Sequence, residues 1–195
     1  MSLELTVSAS VEAPDENHDV TIIVQRVKPI EGAFIARRIA TAEVVLCATP
    51  EYLDQHGRPK HPRDLANHDT LIPIPASEQR ELTFRPAWGG GDPEVVELKK
   101  LPPLMTTHSD TLYAAALAGL GIAGLPSMIC EDALMEQALE RVLPQWHMQT
   151  LTLFAAMPTR KHVPMRTRAF VDFLVDTFGR SERDPWLAAA GCESC

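Results

Sequence analysis

Gly119-Leu120-Gly121-Ile122-Ala123-Gly124 fits G-x-G-x-x-G, the glycine pattern that lets a dinucleotide pyrophosphate approach the backbone. In such a site the glycines follow a strand and open a helix, so that phosphate lies on free amides at the helix N-terminus. The order here is reversed: an alanine-rich helical stretch precedes the glycines and an apolar strand follows. Gly119 or Gly121 is therefore read as a helix-ending residue with positive φ, and no nucleotide cofactor is expected.

Other chemical groupings are equally incomplete. The chain has no Gly-x-Ser-x-Gly elbow and no P-loop. His56, His61 and His68 fall in a proline-containing stretch without metal-ligand spacing and read as a solvated loop; His147 and His162 stand alone. The carboxylates are dispersed, with no pair that reads as an acid/base couple. Cys47 and Cys130 sit in apolar runs and read as small buried hydrophobes. Cys192 and Cys195 form a Cys-x-x-Cys with no helix start or second ligand pair beside it, which suggests a solvated tail. No catalytic residue, metal site or cofactor is expected, and the chain does not read as an enzyme.

The elements that would position a binding site are easier to see. Residues 3–8 alternate apolar and polar, as in a half-buried strand. Residues 19–24 (Asp-Val-Thr-Ile-Ile-Val) suggest a strand inside a parallel sheet. Residues 34–49 form one extended stretch too long for an ordinary strand, so it is expected to pass from one structural unit into the next. Thr49-Pro50 carries a cap and a first-turn proline, and Gly57 marks the end of that helix. Short strands are expected at 70–74, 81–85 and 94–101, with 89–93 a turn between the last two. A helix over 109–120 with His108 or Ser109 as cap, a strand over 122–125, a helical turn opened by Pro126 and a strand over 151–157 follow. In 164–178 the spacing of Phe170, Val171, Leu174 and Phe178 gives one apolar stripe, ended by Gly179. Alternating strands and helices point to α/β.

Composition narrows the function. The 195 residues are 45% hydrophobic and 23% charged, as in a folded globular chain. With 26 acidic against 18 basic residues the net charge is −8, which opposes gripping the phosphates of DNA. Charge or proline breaks every apolar run before membrane-spanning length, and the N-terminal residues do not resemble an export signal; a cytoplasmic location is expected, with no membrane partner.

Several ordered segments resemble the effector-binding domain of LysR-type transcription regulators. Asp19-Val20-Thr21-Ile22 is similar to the family's Asp-Val-Ala-Ile strand, and residues 34–39 to its Leu-x-Ala-Arg-x-Leu segment. Ala48-Thr49-Pro50-Glu51-Tyr52-Leu53 is similar to Ala-Ser-Pro-x-Tyr-Leu, continued by Gly57, Pro59, Pro62, Asp64, Leu65 and His68. Residues 114–123 with Leu125-Pro126, then Val142-Leu143-Pro144-x-Trp146, then residues 168–174 complete the series. The resemblance implies an α/β fold of two Rossmann-like lobes joined by two crossover strands, like a type 2 periplasmic binding protein. The first lobe would hold residues 1–42 and 150–179, the second 43–149, and residues 180–195 would be a flexible tail. The match begins at the family's second strand, so the first strand and helix have no counterpart, and Ile23 stands where many relatives carry arginine. DNA contact would need a helix-turn-helix domain that this chain lacks.

The resemblance implies a small-molecule effector in the inter-lobe cleft and a homodimer. In such architectures ligands lie beyond strand C-termini, where helix N-termini present free amides. Ser8 and Ser10, which follow the first strand, and Thr107, His108 and Ser109, which open the alanine-rich helix, are the expected contacts, with Gly121 and Pro126 bordering the next strand. Hydroxyls and amides of this kind suit a small polar or carboxylate effector; Asp110 in the same helical turn opposes an anion. For each hydroxyl alone, ordinary capping is the competing role. The alternative function is a solute-binding protein of a transport system.

Overall fold

The computed structural model describes residues 3–7, 14–15, 17–25, 34–71, 81–87, 90–106, 108–158, 163–179 and 183–192. The fold is α/β. Its longest strand is β2 (Phe34–Ala48), 15 residues rich in β-branched and small apolar side chains. The chain divides into two compact units: Met1–Thr41 with Thr152–Glu182, and Ala42–Leu151 with Arg183–Cys195. Two strands, β2 and β9 (Gln149–Pro158), each contribute residues to both units.

In the first unit β1 (Thr21–Gln25) pairs antiparallel with β9, from Thr21 opposite Ala156 to Gln25 opposite Thr152, and the strand order is β1-β9-β2. The sequence suggested a parallel, fully buried strand here. Among the described residues β1 instead ends the sheet: Ile23 is buried while Ile22 and Val24 are exposed. Such alternation is what an antiparallel edge strand with one covered face produces. Helix α4 (Met165–Phe178) buries Thr167 and Val171, and its exposed Asp172 pairs with Arg37 of β2. Gly179 ends the helix for a steric reason. A Cβ there would stand 2.7 Å from the Ile39 carbonyl oxygen. Residues 3–7, expected as a strand, have no regular structure, and Leu3, Leu5 and Val7 are exposed. Alternation alone does not make a strand, which also needs a neighbouring backbone to pair with.

The second unit is built on a sheet covered on both faces. The C-terminal half of β2 pairs antiparallel with β6 (Ile122–Pro126) on one side and β7 (Glu140–Val142) on the other; β3 (Thr70–Leu71) adds parallel to β6. Successive side chains of a strand point to opposite faces. Val45 and Cys47 accordingly enter one core with Leu71, Ala123 and Leu125, beneath α2 (Ser109–Leu117) and α3 (Ser127–Met135). Leu46 and Ala48 enter another with Ile122, Tyr52 and Leu53 of α1 (Pro50–His56), and Leu65 of a 3-10 helix (Pro62–Asn67). That second core is closed by a small sheet of order β5-β4-β8, made by β5 (Glu94–Glu97), β4 (Glu81–Pro86) and β8 (Trp146–His147). Thr49 caps α1 as its residue type suggested, accepting from the Tyr52 N–H at 3.2 Å, with Pro50 at the first position and Gly57 (φ 86°) after the end.

Residues 180–195 were expected to form a flexible tail. The structure corrects this over Arg183–Cys192, because Pro185–Ala189 is a helix, α5, docked on α3. Leu187 is 1% exposed and joins the core containing Val45 and Leu125, against which Ala190 and Cys192 also pack. Asp184 caps α5 through the Trp186 and Leu187 amides, at 2.9 and 3.1 Å. Its other oxygen accepts from the Ser127 hydroxyl at 2.6 Å and the Glu43 N–H at 2.7 Å. A five-residue helix has too few turns to show a period, so the sequence pattern could not mark it. Replacing a buried carboxylate that satisfies four donors leaves those donors unpaired. Asp184→Ala is expected to lower unfolding free energy by about 3 kcal/mol in urea denaturation, with Asp184→Asn losing less.

Candidate functional site

The expected contacts at the alanine-rich helix are partly described. Ser109 is the first residue of α2 and His108 its N-cap. The His108 side chain gives no cap to the helix; its Nδ1 lies 3.1 Å from the Thr111 hydroxyl, while its N–H donates to Thr106 Oγ1 at 3.1 Å. The first-turn amides thus face an N-cap that does not spend them, with Asp110 as the acidic neighbour. Ser8, Ser10 and Thr107 lie outside the described residues.

The glycine-rich stretch is a helix stop followed by a strand. The Gly119 N–H donates to Ala116 O at 2.9 Å and the Leu120 N–H to Ala115 O at 3.1 Å, with Gly119 at φ 73°. This is the Schellman arrangement, in which a left-handed residue lets two terminal carbonyls find donors. It turns the chain so that β6 runs back beside α2, and Pro126, at the C-terminal end of β6, returns to the end where Ser109 lies. Gly121 stays at the other end, about 13 Å along the axis of a nine-residue helix. The structure gives Gly121 a packing role. A Cβ there would stand 2.3 Å from the Asp69 carbonyl oxygen, which accepts from the Ile122 N–H at 2.8 Å.

Asp69 is held in turn by a buried aromatic cluster. Its N–H donates to the Tyr52 hydroxyl at 3.0 Å, and His68 Nδ1 lies 3.4 Å from that oxygen. His56 stacks on the Tyr52 ring with centroids 4.2 Å apart. The three histidines read as a solvated loop therefore have separate structural posts: His68 is 6% exposed, His56 lies on α1, and His61 precedes the 3-10 helix and pairs with Glu94 at 3.1 Å. Burial, with smaller contributions from the positive charges of His56 and Lys100, lowers the His68 pKa, against the attraction of Asp64 and Asp69. His147 is likewise not isolated, since its Nδ1 meets Glu43 Oε2 at 2.9 Å. Its partner lies 104 residues away, and no local spacing could reveal it.

Nothing in these arrangements assembles a nucleophile with a base. Cys47 and Cys130 are fully buried, and the neighbouring Cys130 thiol together with burial holds the Cys47 pKa well above its ordinary value. Such a thiol stays protonated and unreactive. Among the described residues, no group of three or more His, Cys, Asp and Glu side chains could hold a metal, and no helix is long and apolar enough to cross a membrane.

Two outcomes are expected. Gly121→Ala should cost at least 1–3 kcal/mol, the range of overpacking, because the obstructing atom belongs to the backbone; urea denaturation measures it. His68 has a native pKa below the 6.5 of its unfolded form, so its contribution to stability is full above pH 6.5 and is lost as pH falls through the lowered native value. Unfolding midpoints measured between pH 8 and 5 should fall on the acid side, and His68→Asn should flatten that part of the profile.

Comparison with known proteins places this geometry. The family model described as the LysR substrate binding domain matches residues 1–179. The uncharacterized HTH-type transcriptional regulator YhjC of Escherichia coli is 32% identical over 174 residues, covering 88% of this chain and 57% of that protein. The HTH-type transcriptional activator AaeR of Escherichia coli is 26% identical over 180 residues, covering 90% of this chain and 56% of the relative. The chain thus spans about half the length of the curated relatives it matches. Among solved structures, the regulatory domain of AphB from Vibrio vulnificus superposes with a TM-score of 0.71 at 25% identity, covering 89% of this chain and 83% of that one. The CrgA regulatory domain from Neisseria meningitidis gives 0.65 at 27% identity, over 81% and 75%. These regulatory domains share the type 2 periplasmic-binding-protein-like α/β fold described above, and the chain belongs to the LysR substrate-binding domain family.

Proposed function

We propose that this chain is the effector-sensing part of a cytoplasmic DNA-binding regulator, recognising a small carboxylate metabolite and acting as a homodimer. The observation that carries the reading is the family match over residues 1–179, joined to relatives described as transcriptional regulators. A negative net charge of −8 suits a sensor whose DNA contact is made by another domain. Ligand binding would act by favouring one arrangement of the protein over another, with a differential affinity that sets the size of the response. No feature of the described residues favours an enzyme or a transport role over this one.

Thr107, His108, Ser109 and Pro126 are the proposed effector contacts, with Ser8 and Ser10 from the N-terminal segment. Support comes from the uncapped start of α2, where amide donors and the helix dipole suit a carboxylate. A panel of small carboxylates titrated against the intact regulator tests the reading. The expected result is a stabilised protein with one of them, and about tenfold weaker binding for Ser109→Ala or Thr107→Ala, the loss of one charge-assisted hydrogen bond. Unchanged affinity in both variants would remove this helix start from the site. Sedimentation of the intact regulator should show a dimer, and a monomer at every concentration would exclude the proposed assembly.

A further inference from the structure

A cleft lies wholly inside the second unit, away from the start of α2. Its volume is about 420 Å³, within the range of small-molecule pockets. Pro50, Leu134 and Leu139 give it apolar walls, and Gln137, Glu140, Arg141 and Cys192 complete the lining. The two leucines are buried members of the core beneath α2 and α3.

Arg141 is the informative residue. Its side chain is only 9% exposed, and among the described residues its five donors make one hydrogen bond and one longer ion pair. Nη1 donates to the Cys192 carbonyl at 3.2 Å. The nearest carboxylate atom, Glu43 Oε2, is 3.7 Å from Nη2, longer than a hydrogen bond, and is already engaged by His147 at 2.9 Å. Glu140 does not compensate it, because both Glu140 oxygens accept from Arg58, at 2.8 Å each. A guanidinium with donors to spare, sharing a cleft with Leu134 and Leu139, matches the planar fork of a carboxylate. Gln137 adds an amide from a left-handed backbone position (φ 59°), a conformation that non-glycine residues rarely hold.

Cys192 closes one side, and it belongs to the docked segment beyond residue 179, where the family match ends. The Asp184 cap and buried Leu187 hold that segment in place. We propose that this cleft binds a small amphipathic carboxylate, with its apolar body on Leu134 and Leu139 and its carboxylate on Arg141, at a site separate from the proposed effector contacts.

Octanoate and 1-octanol are suitable probes, because they share an apolar chain and differ in the head group. The half-buried Cys192 thiol provides the readout: its alkylation rate by iodoacetamide in the full chain, resolved by peptide mass spectrometry. Saturating octanoate should slow Cys192 alkylation at least tenfold, and octanol should do so far less. Arg141→Gln should abolish the difference between the probes. Gln137→Trp, at an exposed position on the rim, should fill the cleft without disturbing the core and remove protection by octanoate. Ser109→Ala should leave protection intact, which separates this site from the effector site. Unchanged alkylation with octanoate, equal protection by octanol, or full protection in Gln137→Trp would each overturn the proposal.

Discussion

Along the second half of β2, odd and even side chains enter different cores: Val45 and Cys47 one, Leu46 and Ala48 the other. A strand buried on both faces cannot slip by one residue, because each side chain would move into a space shaped for its neighbour. The register Val45 opposite Leu125 and Leu46 opposite Gly124 is fixed in this way, and β6 is fixed with it. Everything the site uses hangs from that pairing. The Schellman turn aims β6, the Asp69 carbonyl anchors its first residue, and its last residue returns to the start of α2.

Much of this could be read from residue types. Thr49-Pro50 and Gly57 delimit α1 because capping and positive φ are local properties. The reversed order around Gly119 to Gly124 excluded a nucleotide site for an equally local reason, and the structure shows helix first and strand second. The long extended stretch at residues 34–49 signalled a strand that serves more than one unit, and β2 does so. The family resemblance, carried by the same local segments, was sound.

What escaped the sequence depends on distant partners. Residues 3–7 alternate like a strand but pair with no strand among the described residues, whereas β7 and β8 are three and two residues long and exist through pairing with β2 and β4. His68 looks polar in a row of prolines, and only the fold puts it beside the Tyr52 hydroxyl. Gly121 borders the strand after α2 in the sequence, and only the fold shows the Asp69 backbone packed against it. Arg141 gave no signal at all, since its meaning lies in which acceptors are already occupied around it. The proposed site was least legible for that reason.

The docked C-terminal segment has a practical corollary for anyone dissecting the protein. A chain cut where the family match ends would keep β2, α3 and every described strand, yet Ser127 Oγ and the Glu43 amide would each lose the Asp184 acceptor. The niche filled by Leu187 would open, at a cost of about 1.5–3 kcal/mol for that side chain alone. Domain boundaries drawn from family similarity would thus remove a keystone from the second unit, and weak stability in such a fragment would reflect the cut instead of the natural fold.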